Sequence, residues 1–198
     1  MPGNVNISNL GSLAAQERLE PQESLLETEG SGKKLLIGMP KEHQYDEKRV
    51  SLIPSAVSAL VNLGHKVIVE SGAGDLSNFP DRAFSEAGAQ ISYDRERVYK
   101  TDILIKVAPP SESECSLFQP DQVIISPLYL PELKKKVIDE LSKKKVVAIA
   151  MEYLMDKDGT FPLVRIMSEL AGRAAILTSA ELMTNSSSGN GTLLGGIS

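Results

Sequence analysis

From Lys33 onward the chain alternates short, almost unbroken apolar runs with stretches whose apolar residues recur at helical spacing. The runs are 35–39, 66–70, 103–107, 123–126 and 146–151, each rich in Val, Ile and Leu or Ala. A run with little polar alternation is the pattern of a strand covered on both faces. Between the runs, the 3.6-residue period predicts helices over 54–63, 81–87, 112–118 and 131–143. A last, longer helix is predicted over 164–183, carrying Leu170, Ala171, Ala174, Leu177 and Leu182. Strand, helix and strand in this rhythm imply right-handed crossovers and a parallel sheet. The expected fold class is therefore α/β: a three-layer parallel sheet with flanking helices, Rossmann-like or flavodoxin-like. Gly64 and Gly88 fall where two of the helices end, positions that favour a positive φ.

The flanks break this rhythm. Residues 1–34 are polar and rich in Glu, Gln, Ser and Gly, with Leu13, Leu19, Leu25 and Leu26 on one side of a short helical pattern interrupted near Pro21. They read as a leader, partly helical or disordered, closed by Gly30-Ser31-Gly32. The division is thus a leader (1–34), one α/β domain (35–184) and a Ser/Asn/Gly-rich loop (185–198).

Composition narrows the chemistry. The 198 residues are 41% hydrophobic and 24% charged, as in an ordinary globular domain, with a formal net charge of −5. That balance speaks against a nucleic-acid surface, which needs clustered cations. The two basic runs, 134–136 and 143–145, alternate with Val137, Ile138 and Leu141 as the solvated side of an amphipathic helix. One cysteine, Cys115, allows no intrachain disulfide and suggests a reducing compartment. No stretch approaches the roughly 20 apolar residues of a membrane span, and residues 1–10 lack signal-peptide character, so the expected location is cytoplasmic and no membrane partner is expected.

In an open parallel sheet, ligands bind beyond the carboxyl ends of the strands. After the first run comes Arg49, followed at once by apolar residues, so its guanidinium is a candidate to bind a carboxylate through two parallel hydrogen bonds. An arginine beside several acids is also the composition of a surface ion pair. Lys106 ends the third run and is a candidate to polarise a carbonyl or to snorkel to water. Tyr129, after the fourth run, offers a phenol or a buried ring. Glu152, after the fifth, offers an acid/base or a partner for Arg49 or Arg173. Ser168, Ala171 and Gly172 on the long helix permit close approach of a ligand or another backbone. Ser71-Gly72-Ala73-Gly74 lacks either phosphate-loop form and reads as a turn. His43 and His65 are too isolated for a metal site, so none is expected.

In combination, several motifs resemble a known family. Ile37-Gly38-Met39-Pro40-Lys41-Glu42 with Glu47-x-Arg49-Val50, then Gly64-His65-x-Val67, Glu70-Ser71-Gly72-Ala73-Gly74, Ala87-Gly88-Ala89 and Leu104-Ile105-Lys106-Val107, are similar to the amino-terminal domain shared by alanine dehydrogenases and the NAD-binding subunit of proton-translocating transhydrogenases. Residues 167–173 extend the match. The 156–164 loop resembles the alanine dehydrogenase form, and 193–198 resembles the segment leading into that family's Rossmann domain.

The resemblance implies a substrate-side domain of the alanine dehydrogenase type, with NAD bound mainly by the other domain, a small 2-oxo acid or amino acid as substrate, and a homo-oligomeric full-length protein. It implies catalytic roles for Arg49, which would hold the substrate carboxylate, and for Lys106 and Tyr129. Met167 and Ser168 fall beside the nicotinamide end of the cofactor. Two positions depart from the family: its lysine is replaced here by Ala108 and its histidine by Tyr129. Lys106 faces the same side as Ala108 about 6.6 Å along a strand, which allows partial compensation. Two alternatives stand beside this reading: a transhydrogenase-like subunit, and a non-catalytic domain that binds 2-oxo acids or regulates.

Overall fold

The computed structural model describes residues 33–43 and 46–194. The expected leader therefore lies outside the described residues except for its last two, and so do residues 195–198 of the expected tail. Six strands form one sheet: β1 (Leu36–Met39), β2 (Lys66–Glu70), β3 (Gln90–Ser92), β4 (Ile103–Ile105), β5 (Val123–Ser126) and β6 (Val147–Ala150). All neighbours are parallel, in the order β3-β2-β1-β4-β5-β6. The order reverses between β1 and β4, so the loops leaving these two strands diverge and open a crevice at their carboxyl ends.

Among the described residues the α-helices are α1 (Pro54–Asn62), α2 (Asp81–Glu86), α3 (Arg95–Tyr99), α4 (Lys135–Lys143) and α5 (Pro162–Leu182). Strand parity divides the core into two layers. Ile37, Met39, Val67 and Val69 point to one face and pack with Val57 of α1 and Phe84 of α2. Ile68, Leu104 and Ile124 point to the other and pack with Val98 and Tyr99 of α3, Phe118, and Val137 and Leu141 of α4. Gly38 faces this second layer. A Cβ there would collide with the Val98 carbonyl oxygen and lie 2.7 Å from Thr101 Oγ1, so glycine is what lets α3 approach the sheet.

Several expectations shift. The strand β3 and helix α3 are additional elements, too short to impose a period of their own. Residues 112–118, expected as a helix, form consecutive turns. Ser111 and Glu114 do make the reciprocal bonds of a capping box, Ser111 N–H to Glu114 Oε2 at 2.8 Å and Glu114 N–H to Ser111 Oγ at 3.3 Å. The helix does not propagate, because the Lys144 ammonium gathers the carbonyls of Cys115, Ser116 and Phe118 at 2.7–2.9 Å. Lys144 is thus a tether and not part of a solvated face. Helix α4 starts at Lys135, four residues after the expected start at Pro131. The third run is a strand only to Ile105, and the tail contains a short 3-10 turn at Asn185–Ser187.

Two features expected to be covered are not. Val147 on the edge strand β6 is 54% exposed, and α5 buries no residue along its 21 positions. A Cβ on Gly172 would meet nothing within 4 Å, so close backbone approach does not explain that glycine here.

The Gly38 contact generates a test. Gly38→Ala is expected to destabilise the domain by about 1–3 kcal/mol through overpacking against α3. In urea denaturation it should appear as a lower midpoint with an unchanged slope. A midpoint equal to that of the wild type would show that α3 yields without cost.

Candidate functional site

A cleft of about 660 Å³ lies at the carboxyl ends of β4 and β5, lined among others by Glu47, Arg49, Ala108, Leu128 and Tyr129. Its first wall is the segment between β1 and α1. Ser51 Oγ donates to the Ile105 carbonyl oxygen at 3.1 Å and ties this segment to the end of β4. Arg49 is held by its neighbour: Nε donates to Glu47 Oε1 at 2.8 Å and a terminal nitrogen to Glu47 Oε2 at 2.6 Å. The Glu47 carboxylate is only 12% exposed and is lowered from its ordinary pKa by its hydrogen bond with Arg49. That same bond raises the arginine, whose side chain is 53% exposed.

The fork expected to grip a substrate carboxylate is therefore occupied along one edge by Glu47. The other edge, between the two terminal nitrogens, remains directed away from Glu47. One of those nitrogens reaches Met167 Sδ of α5 at 3.6 Å. Orientation by Glu47 fixes that edge before any ligand arrives.

The second wall follows β4, and here the structure corrects an expectation. Lys106 neither points into the cleft nor snorkels to water. Its side chain is 0% exposed, and its ammonium lies 2.7 Å from Glu42 Oε2 and 2.9 Å from Glu114 Oε1. Partial compensation for Ala108 by Lys106 is excluded in this arrangement, because the ammonium is enclosed between two carboxylates. Glu42 Oε1 in turn accepts the N–H groups of Val107 at 2.6 Å and Ala108 at 3.2 Å, setting the cleft wall.

Glu114 Oε1 also accepts from Tyr99 OH at 2.6 Å and from Arg95 at 2.8 Å. Burial pushes the Glu114 carboxyl up, yet the Lys106 charge and the Tyr99 hydroxyl outweigh it and hold the group at about 2. Burial, with the Glu114 charge beside it, raises the Tyr99 phenol, which stays a neutral donor.

The third wall follows β5. Tyr129 is 51% exposed, lines the cleft and has a left-handed backbone at φ 44°. Glu152 pairs with neither Arg49 nor Arg173, the ion-pair role that was one of its two expected uses. It accepts instead from the backbone N–H of Leu128 at 3.1 Å and of Tyr129 at 2.8 Å.

Of the five candidate residues, Arg49 and Tyr129 thus share the cleft, and Met167 reaches it through Arg49. Ser168 lies exposed on α5, and Lys106 sits behind the wall. Sequence reasoning missed Glu42, Glu47 and Glu114. The Ser111-x-x-Glu114 spacing was legible only as a helix start, and Glu47 two residues before Arg49 was the one available signal for that arginine's clamp. The glycine turn after β2 satisfies itself: Ser71 Oγ and Gly72 N–H both donate to Asp81, at 2.6 and 2.8 Å. Among the described residues no group of three or more His, Cys, Asp or Glu is placed to hold a metal ion, and no helix is long and apolar enough to cross a membrane.

Compared with known proteins, residues 38–171 match the family model described as the alanine dehydrogenase/PNT N-terminal domain. An alanine dehydrogenase of Staphylococcus epidermidis is 42% identical over 161 residues, covering 81% of this chain and 43% of that protein. One from Staphylococcus saprophyticus is 42% identical over 163 residues, covering 82% and 44%. A solved L-alanine dehydrogenase superposes with a TM-score of 0.78 at 34% identity, over 82% of this chain and 45% of that one. A transhydrogenase from Sinorhizobium meliloti superposes at a TM-score of 0.56 and 30% identity, over 62% of this chain and 36% of that one. The chain spans less than half the length of the curated relatives it matches.

The buried cluster generates a pH-dependent expectation. Glu114 falls from an ordinary 4.5 to about 2 on folding. A depressed carboxylate stabilises the fold above its unfolded pKa, and that stabilisation, roughly 3 kcal/mol, is lost as pH falls through the folded value. Lys106→Met should cost about 3–5 kcal/mol near neutrality, because it leaves two buried carboxylates short of a counter-ion. It should also flatten the decline between about pH 5 and pH 2. Urea midpoints measured across that range check both effects, and parallel curves for the two proteins would refute the assignment.

Proposed function

Because this chain belongs to the alanine dehydrogenase/PNT amino-terminal domain family, we propose that it is the substrate-side domain of an NAD-dependent amino-acid dehydrogenase. The reaction is oxidative deamination of L-alanine with NAD and water to pyruvate, ammonia and NADH, and its reverse. The observation that carries this reading is Arg49: a guanidinium at the mouth of the cleft, clamped along one edge by Glu47 and leaving the other for a carboxylate. Two charge-assisted hydrogen bonds from that edge fix the acid end of a 2-oxo acid and orient its carbonyl.

Tyr129 then stands in the cleft as the hydroxyl donor to the carbonyl oxygen, in the place where the family carries a histidine. A phenol donates a hydrogen bond well but shuttles protons less readily near neutrality than an imidazole. Lys106 does not touch substrate in this reading. It holds Glu42, and Glu42 holds the wall around Ala108.

The residues present fit the reactive end of NAD and not its phosphates. Met167 stands against Arg49, whereas the glycine turn after β2 already gives its Gly72 N–H to Asp81. When bound, mainly by a second domain, NAD supplies hydride acceptance and donation. The uncovered β6 edge and the exposed apolar side chains of α5, among them Ile166, Leu170, Ile176 and Leu177, support docking of that second domain and of further copies in a homo-oligomer. The single thiol, Cys115, is buried, which is consistent with the cytoplasm.

A transhydrogenase-like subunit is the second reading. Ala108 and Tyr129, in place of a lysine and a histidine, favour it, since such a subunit needs no substrate-holding triad. A membrane-spanning partner subunit would mark it.

The test is turnover of the full-length parent with pyruvate, ammonia and NADH. Arg49→Ala should raise KM for the 2-oxo acid by a factor of about 10 to 100, the worth of a charged hydrogen-bonded contact. Rates indifferent to that substitution would remove Arg49 from the site. The 198-residue chain alone should show no dehydrogenase activity, and measurable turnover by it would contradict the division of labour.

A further inference from the structure

We propose that Glu152 is a positioning residue for Tyr129: its carboxylate holds the strap after β5 in a left-handed conformation that presents the phenol to the cleft beside Arg49. The proposal rests on reading the cleft as a 2-oxo acid site, and it assigns a role to a carboxylate that touches neither substrate nor cofactor.

The geometry starts from the sheet. β5 and β6 are parallel neighbours whose last paired residues are Ser126 and Ala150. Two residues further along each strand come Leu128 and Glu152. The ladder cannot continue between them, because Pro127 has no N–H and residues 151–153 turn into a 3-10 helix. The side chain of Glu152 takes over. Its two oxygens accept from Leu128 N–H at 3.1 and 3.2 Å, and one of them from Tyr129 N–H at 2.8 Å. Two successive amides converging on one carboxylate form an anion nest filled from within the chain.

The other side of the same residue is pinned as well. The Tyr129 carbonyl oxygen accepts from Glu132 N–H at 2.7 Å and Leu133 N–H at 3.1 Å. Leu128, 5% exposed, anchors the preceding position. A bulky side chain at φ 44° is uncommon, and such a conformation persists only where the surroundings over-determine it. Here they do so through Glu152 on the N–H side and the 129–133 turn on the C=O side. Glycine would adopt this backbone freely. The tyrosine's presence in its stead, half exposed and lining the cleft, indicates that the phenol itself is being placed. Arg49 is positioned independently by Glu47, so loss of Glu152 should move the phenol and leave carboxylate binding intact.

A double-mutant cycle in the full-length parent tests this, with kcat and the KM for pyruvate measured for wild type, Glu152→Ala, Tyr129→Phe and the double variant. Glu152→Ala should lower kcat about tenfold or more, as misplacement of a reacting group does, with KM changed less than about threefold. The double variant should be no slower than Tyr129→Phe alone. Glu152→Gln keeps an acceptor oxygen for the two amides and should restore most of the rate. Glu152→Met fills the same space without an acceptor oxygen and carries the same cycle if the alanine variant fails to fold. Multiplying losses in the double variant, or a raised KM at constant kcat, would overturn the positioning role. An undiminished kcat in Tyr129→Phe would overturn it together with the phenol's role, while leaving the Arg49 result standing. Absence of any turnover by the wild-type parent would overturn both the positioning and the dehydrogenase reading.

Discussion

One buried ammonium organises this end of the molecule. Lys106 leaves the end of β4 pointing into the layer that also holds Leu104 and Tyr99, where no water reaches it. An isolated charge there would be prohibitive. It is tolerated because Glu42 from the β1 loop and Glu114 from the 111–118 turns close on it, and because Arg95 supplies a second positive charge to Glu114. Two carboxylates and two cations cancel, and each is hydrogen bonded, which is the condition under which buried charge survives. The Arg95 guanidinium also lies 5.5 Å over the Tyr99 ring, whose hydroxyl completes the shell of Glu114.

The cluster joins segments that sequence separates. Glu42 follows β1, Lys106 follows β4, and Arg95 and Tyr99 belong to α3. Their convergence lies at the switch point of the strand order, where the crevice opens. The wall of the cleft is consequently built on charges that face away from it. Arg49 and Tyr129 stand in its lining, each held by a carboxylate: Glu47, which lines the cleft as well, on the guanidinium, and Glu152 on the backbone. Carboxylates thus serve as the scaffold for Arg49 and Tyr129, and Glu112, Glu132 and Lys134 line the same cleft.

The other end of the chain is of a different character. α5 has a helical sequence throughout, with Pro162 in its first turn, yet its apolar residues lie on no core. Its exposed side chains include Leu163, Val164, Ile166, Leu170, Ile176 and Leu177, where a covered helix would bury them. Met167 of this helix lies against Arg49, its sulfur 3.6 Å from a terminal nitrogen of the guanidinium.

Five of the six described strands, four of the five described α-helices, the parallel sheet, the turn glycines at 64 and 88 and the family were legible in the residues. Apolar periodicity and backbone permissions are local properties, and Gly64 and Gly88 do take positive φ. The short elements β3 and α3 escaped because a few residues carry no period. Residues 112–118 escaped because their capping box was real and its continuation was cancelled from outside, by Lys144. Which way a charged side chain turns is decided elsewhere again. Lys106 has the same local sequence whether it enters the cleft or the core, and only the approach of Glu42 from a distant segment and of Glu114 from the turns that follow makes burial the lower free energy. Glu152 likewise reads as an acid or an ion-pair partner until β5 and β6 are set side by side and its carboxylate meets two amides that the sheet has left without partners.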